Sequence, residues 1–79
     1  MNTYKTQFFA HCPTNNVRIT YNLTIQTDST IMVEDIIDEV SSLNRGFHEA
    51  FADRLHCEFG GKQTLTADHH GVIVETERP

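Results

Sequence analysis

Val17-Arg18-Ile19-Thr20-Tyr21-Asn22-Leu23-Thr24-Ile25-Gln26 is the stretch on which the fold turns. Val17, Ile19, Tyr21, Leu23 and Ile25 alternate with Arg18, Thr20, Asn22, Thr24 and Gln26. A period of two sends every apolar side chain of an extended chain to one face, and β-branched and aromatic residues pack well there. The segment reads as a strand with one buried face and one polar face. Ahead of it, Thr3 to Ala10 is rich in Thr and aromatics and reads as the partner strand, although Phe8 and Phe9 point to opposite faces. Cys12-Pro13-Thr14-Asn15-Asn16 between them is a turn, with Pro restricting φ and Asn tolerating the left-handed region. Together they make a β-hairpin with a loop longer than the two-residue minimum.

Beyond the hairpin, Asp28-Ser29-Thr30 offers a helix cap. Val33, Ile36, Ile37, Val40 and Leu43 then recur three and four residues apart, with Glu34, Asp35, Asp38 and Glu39 between them. That is an amphipathic helix, and acids near its start suit the helix dipole. A second apolar stripe, Phe47, Phe51, Leu55 and Phe59, repeats at every fourth residue and reads as core. Asn44-Arg45-Gly46 reads as a break between the stripes. The stripes stay roughly in phase, so two helices, or one kinked at Gly46, are expected. Gly60-Gly61 stops the helix. Gln63 to Ala67 and Val72 to Thr76 are short strands joined across Asp68-His69-His70-Gly71, and Glu77-Arg78-Pro79 reads as a polar tail.

The order ββααββ implies an α+β domain spanning residues 1–79, an antiparallel sheet with helices packed on one face. With Val17 taken to face the helices, Phe9, His11, Arg18, Asn22 and Thr24 fall on the other face, which meets either water or a partner. A chain of 79 residues buries only about 60–65% of the surface its unfolded form exposes, so its core is marginal. Self-association into a homo-oligomer is the expected supplement. Disulfides are not expected, because the two cysteines, Cys12 and Cys57, follow no basic or hydrophobic leader and reduced thiols are the default in a cytoplasmic chain. No apolar run approaches the ~20 residues of a membrane span. A net charge of −5 with six scattered basic residues argues against direct nucleic-acid binding, which needs clustered Lys and Arg.

Several residues invite chemistry. Cys12 stands beside His11, and a neighbouring imidazole lowers a thiol's pKa towards that of a nucleophile. The plainer reading is a half-buried thiol acting as a small hydrophobe. Glu49 offers two directed acceptors for ring N–H groups in a pocket, but a carboxylate in the first turn of a helix also stabilises the dipole with no ligand at all. Five histidines raise the question of metal, yet none of the ordered Cys and His spacings of zinc sites occurs, and no metal is expected. Glu34, Asp35, Asp38 and Glu39 form a solvated acidic face, or one that mimics phosphates to fill a basic nucleic-acid channel. No phosphate loop, Ser-His-Asp order or paired-acid motif stands out.

Four pieces in order carry a resemblance: Phe8-Phe9-Ala10-His11-Cys12-Pro13, Met32-Val33-Glu34, Asn44-Arg45-Gly46-Phe47-His48-Glu49, and the Thr-rich strand, turn and Val/Ile strand from Gly61 to Val74. Over residues 8 to 75 the sequence resembles the tunnelling-fold (T-fold) family, nearest to the 7-cyano-7-deazaguanine (nitrile) reductases of queuosine biosynthesis. The resemblance implies a ββααββ fold assembled into a ring, with purine- or pterin-like rings bound at subunit interfaces. It implies a nucleophilic role for Cys12, hydrogen bonding of the heterocycle by Glu49, and a place beside the ligand for His48. The reductases' acid after the Cys-Pro pair is missing, since Asn15, Asn16, Val17 and Arg18 fill that stretch. Their cofactor-binding lysines are replaced by Asp35, Ile36, Ile37 and Asp38, whose charge would repel a dinucleotide. Active nitrile reduction is therefore not expected.

Two function classes follow. One is an oligomeric T-fold-like protein binding a purine- or pterin-like heterocycle. The other is a small acidic interaction protein, for example a phage-type, anti-CRISPR-like inhibitor of a host defence complex, meeting a basic protein partner through Glu34, Asp35, Asp38 and Glu39. The sequence leaves open whether catalysis occurs, and it names no cofactor.

Overall fold

The alternation that begins at Val17 is realised in β2 (Arg18–Thr27), the second of four strands in a computed structural model that describes all residues 1–79. In chain order the elements are β1 (Asn2–His11), β2, α1 (Val33–Ser42), α2 (His48–Phe59), β3 (Lys62–His69) and β4 (Val72–Arg78). The strands pair antiparallel in the order β1-β2-β3-β4, with Phe8 opposite Tyr21, Leu23 opposite Leu65 and Ala67 opposite Val74. The ββααββ architecture expected from the sequence is the one observed.

Register fixes the faces. Ile19, Tyr21, Leu23 and Ile25 are buried, and they meet Phe8 and Ala10 from β1 and Leu65 and Ala67 from β3. From the helices come Ile36 and Val40 of α1 and Phe51, Ala52 and Leu55 of α2, completing one two-layer core. The opposite face of the sheet carries no helix. Phe9, His11, Arg18 and Asn22 are exposed there and Thr24 is half-buried, as the alternation requires. Phe9 is covered by the Arg18 guanidinium, 3.8 Å above its ring. Val17 itself lies just outside β2 and is exposed.

The break between the stripes is complete, giving two helices. Gly46 is required there because a Cβ would stand 2.6 Å from Cε1 of the buried Phe51. Three local expectations are corrected. The cap at Asp28-Ser29-Thr30 does not form: Met32 is the N-cap of α1 and makes no side-chain cap bond. The chain must first climb from sheet to helix layer, and Ile31 N–H donates to the Tyr4 hydroxyl (3.0 Å) on the way. Phe47, the first member of the second stripe, is not core but the N-cap of α2, 58% exposed. Glu77 and Arg78 belong to β4 rather than to a tail, because Gln63 and Thr64 continue the ladder past the apolar residues.

Candidate functional site

Cys12 follows β1 directly, and the chain from there curls tightly. Cys12 N–H donates to Val17 O (2.9 Å), and Asn16, at φ 59°, donates back to Cys12 O (2.8 Å). Asn tolerates this left-handed conformation better than other side-chain-bearing residues. The half-buried thiol is held below its ordinary pKa, chiefly by hydrogen bonding from Thr14 and Asn15, against the opposing effect of burial; the Thr14 side chain and the Arg45 charge add to the lowering.

Arg45, in the segment between the helices, clamps this turn. Its Nη1 donates to Asn16 Oδ1 (2.6 Å) and its Nη2 to Pro13 O (3.2 Å). The main chain adds a parallel bridge to the end of β1, His11 N to Asn44 O (2.9 Å) and Gly46 N to His11 O (3.3 Å). A third tie comes from the β3–β4 turn, where His70 Nε2 accepts from Asn15 Nδ2 (2.9 Å). That turn is itself pinned by Gly71 N–H donating to Asp68 Oδ1 (2.7 Å).

His48 opens α2 and is buried. Its Nε2 meets Leu65 O at 3.1 Å and its Nδ1 meets His69 Nε2 at 3.1 Å. Tyr21 is the common neighbour, with ring centroids 5.6 Å from His48 and 5.9 Å from His69. Burial pushes the His48 pKa down, His69 and Arg78 push the same way, and the Leu65 carbonyl and Glu49 oppose them. The Tyr21 hydroxyl pKa is raised, first by burial and then by the Cys12 charge.

Glu49 is placed differently. Its side chain is 69% exposed, and Oε2 accepts from Arg78 Nη2 (2.7 Å), while Arg78 Nε donates to Asp53 Oδ1 (3.0 Å). This leaves Glu49 Oε1 for another donor. On α1, Glu34, Asp35 and Asp38 are exposed, whereas Glu39 is held by Arg54 at 2.6 Å. No three His, Cys, Asp or Glu side chains gather where a metal would need them.

His48, His69 and Tyr21 thus cluster, the Cys12 turn is tied to the neighbouring His70 through Asn15, and Glu49 lies outside them on the exposed start of α2. Arg45, His69 and Tyr21 escaped the sequence reading as site residues. In the sequence His69-His70 reads only as a pair in the second turn, and nothing local says that His69 reaches His48. The grooves of the chain lie elsewhere. One of about 330 Å³ is lined by Tyr4, Leu23, Ile25, Val33, Ile36 and Ile37, and another of about 420 Å³ runs along β1 beside Ile37 and Val40. A third, of about 490 Å³, is lined by Lys62, Glu77, Arg78 and Pro79, beside the partner of Glu49; none of the three is lined by Cys12, His48 or Glu49 itself.

The crystal structure of an archaeosine synthase QueF-Like in its apo form matches this chain with a TM-score of 0.78, covering 98% of this chain and 89% of that one. The chain has the tunnelling fold. Identity over the match is 18%, so the likeness is one of fold. No protein-family model matches the sequence, and no curated protein does. Within the tunnelling fold the departures noted in the sequence take definite places. Asn15 and Asn16 are spent on His70 and Arg45, and Asp35 and Asp38 lie exposed on α1. No helix is long and apolar enough to cross a membrane.

Proposed function

We propose that this protein binds a purine- or pterin-like heterocycle at a site completed by a second copy of the chain, and that it is not an active nitrile reductase. The observation that carries the reading is the cluster of His48, His69 and Tyr21, with the Cys12 turn tied beside it through Asn15 and His70, on a fold shared with a protein named as an archaeosine synthase. No groove of the single chain reaches these residues, so a ring held there needs another wall. Both edges of the sheet, β1 and β4, are free to pair. Val72 and Ile73, at the start of β4, are 64% and 68% exposed.

In this reading Glu49 is the anchor. Its Oε1 accepts a ring N–H while Arg78, steadied by Asp53, holds Oε2. His48 lies beneath the site, and Cys12 faces it with a thiol biased towards thiolate. Nitrile reduction needs an acid and a cofactor site, and the positions that resemble them hold Asn15, Asn16, Asp35 and Asp38. Calorimetry against guanine-like and pterin-like rings tests the proposal. Glu49→Gln puts an NH₂ where one acceptor oxygen stood, and a donor facing a donor costs ~1–3 kcal/mol. Binding should weaken roughly ten-fold or more. A wild-type protein that binds none of these rings would end the heterocycle reading and leave the fold alone.

A further inference from the structure

His48 begins α2 with its ring buried and both nitrogens engaged. A main-chain carbonyl has lone pairs and no proton, so the contact between Nε2 and Leu65 O is a hydrogen bond only when Nε2 carries hydrogen. Burial beside a second imidazole disfavours the charged ring, and a neutral ring has a single N–H. His48 Nδ1 is then a bare lone pair, 3.1 Å from His69 Nε2. His69 must be the donor across that gap. Its own proton therefore sits on Nε2, and while the ring is neutral its Nδ1 is bare. That nitrogen has no partner within the chain, on a ring only half buried.

We propose that His48 is a positioning residue that fixes the tautomer of His69, and that His69 Nδ1 is the acceptor through which the site takes an N–H or O–H donor from a bound ring. The proposal rests on the heterocycle reading and adds to it a residue and a polarity. Without His48, an imidazole interconverts between tautomers and its lone pair has no fixed atom. The relay Leu65 C=O, His48, His69 removes that freedom. The groups facing the pair are Glu49 from α2, Arg78 from β4 and Tyr21 from β2, with Asp68 before and His70 after His69 at the end of β3.

The test begins without any ligand. In ¹⁵N-labelled protein at pH 8, a through-hydrogen-bond coupling between His69 Nε2 and His48 Nδ1 is expected, with both rings as the Nε2–H tautomer. Absence of the coupling, or a proton on His69 Nδ1, overturns the relay. His69→Gln then probes the acceptor, because its amide nitrogen can still donate to His48 but it has no lone pair at the Nδ1 position. Against whichever guanine-like or pterin-like ring binds the wild type, His69→Gln should bind at least ten-fold more weakly with its circular dichroism unchanged. Equal binding removes His69 from the site. If no ring binds the wild type, the heterocycle reading fails by itself, and the coupling still decides the relay.

Discussion

Single residues carry two consequences that need no ligand. His48 is neutral in the fold because burial holds its pKa below the ordinary 6.5. Between the two values the unfolded chain binds more protons, so stability rises with pH across that window. The contribution of His48 is whole above about 6.5 and is lost as pH falls through the lower folded value. Urea midpoints should be level above neutrality and drop below it, and His48→Gln should flatten that part of the curve. An unchanged slope in the variant would show that other groups cause it. Gly46 is the second case. An added methyl group would stand against the Phe51 ring, which is 4% exposed and has little room to retreat. Gly46→Ala should cost ~1–3 kcal/mol by urea unfolding, the usual range for overpacking; a variant as stable as wild type would mean the ring moves freely. At this scale the sequence was partly legible. Cys12-Pro13 and His48-Glu49 stood out as local strings, but the engagement of both His48 nitrogens depends on Leu65 and His69, 17 and 21 residues away.

Among the elements, the strands were legible and the helix ends less so. Alternation in β2 sorts faces by covalent geometry, and pairing hands the same sorting to β1 and β3. The start of α1 was misplaced because the polar residues after β2 are used in crossing between layers, and no periodicity reports a crossing. At the end of α2, Gly60 is visible in sequence and sits at φ 64°, where a side chain is strained. The companion device was invisible. Gln63, buried in β3, donates its amide to Leu55 O (3.0 Å) and Gly60 O (2.7 Å), tying the end of α2 to the sheet. Its own Oε1 is buried and takes no hydrogen bond. Gln63→Leu removes that orphaned acceptor but also both amide hydrogen bonds that tie α2 to the sheet, so a net loss of ~1–3 kcal/mol is expected in chemical denaturation. No loss would mean that water replaces the amide.

For the molecule as a whole, the sheet is the issue. Four strands with a helix-free face and two free edges make a poor stopping point for a chain of this size. Ile73 on that face and Val72 beside it are among the most exposed apolar side chains. Lys5 on β1 and Glu75 and Glu77 on β4 give the two edges opposite charge. Light scattering at high micromolar concentration should therefore show a homo-oligomer, and Val72→Lys with Ile73→Lys should shift it towards monomer with its circular dichroism retained. A wild type that runs as a clean monomer would refute the assembly and the shared site with it. Assembly was readable only as a need, from a short chain with a marginal core. Which edges answer that need required the register of all four strands.

The strand directions also settle where the chain ends leave the domain. Asn2 pairs with Thr27 and Arg78 with Gln63, whereas the Cys12 turn and the His69-His70 turn close the hairpins at their other ends. Pro79 O is received by His56 Nε2 (2.7 Å), in the last turn of α2. The N-terminus thus departs from the end of the sheet remote from Cys12 and His48, whereas the C-terminus leaves one residue after Arg78, the partner of Glu49. A fluorescent protein, an affinity tag or a surface anchor joined to the N-terminus would stand behind the site, whereas the same fusion at the C-terminus would crowd Glu49, so the protein is better tethered by its first residue than by its last.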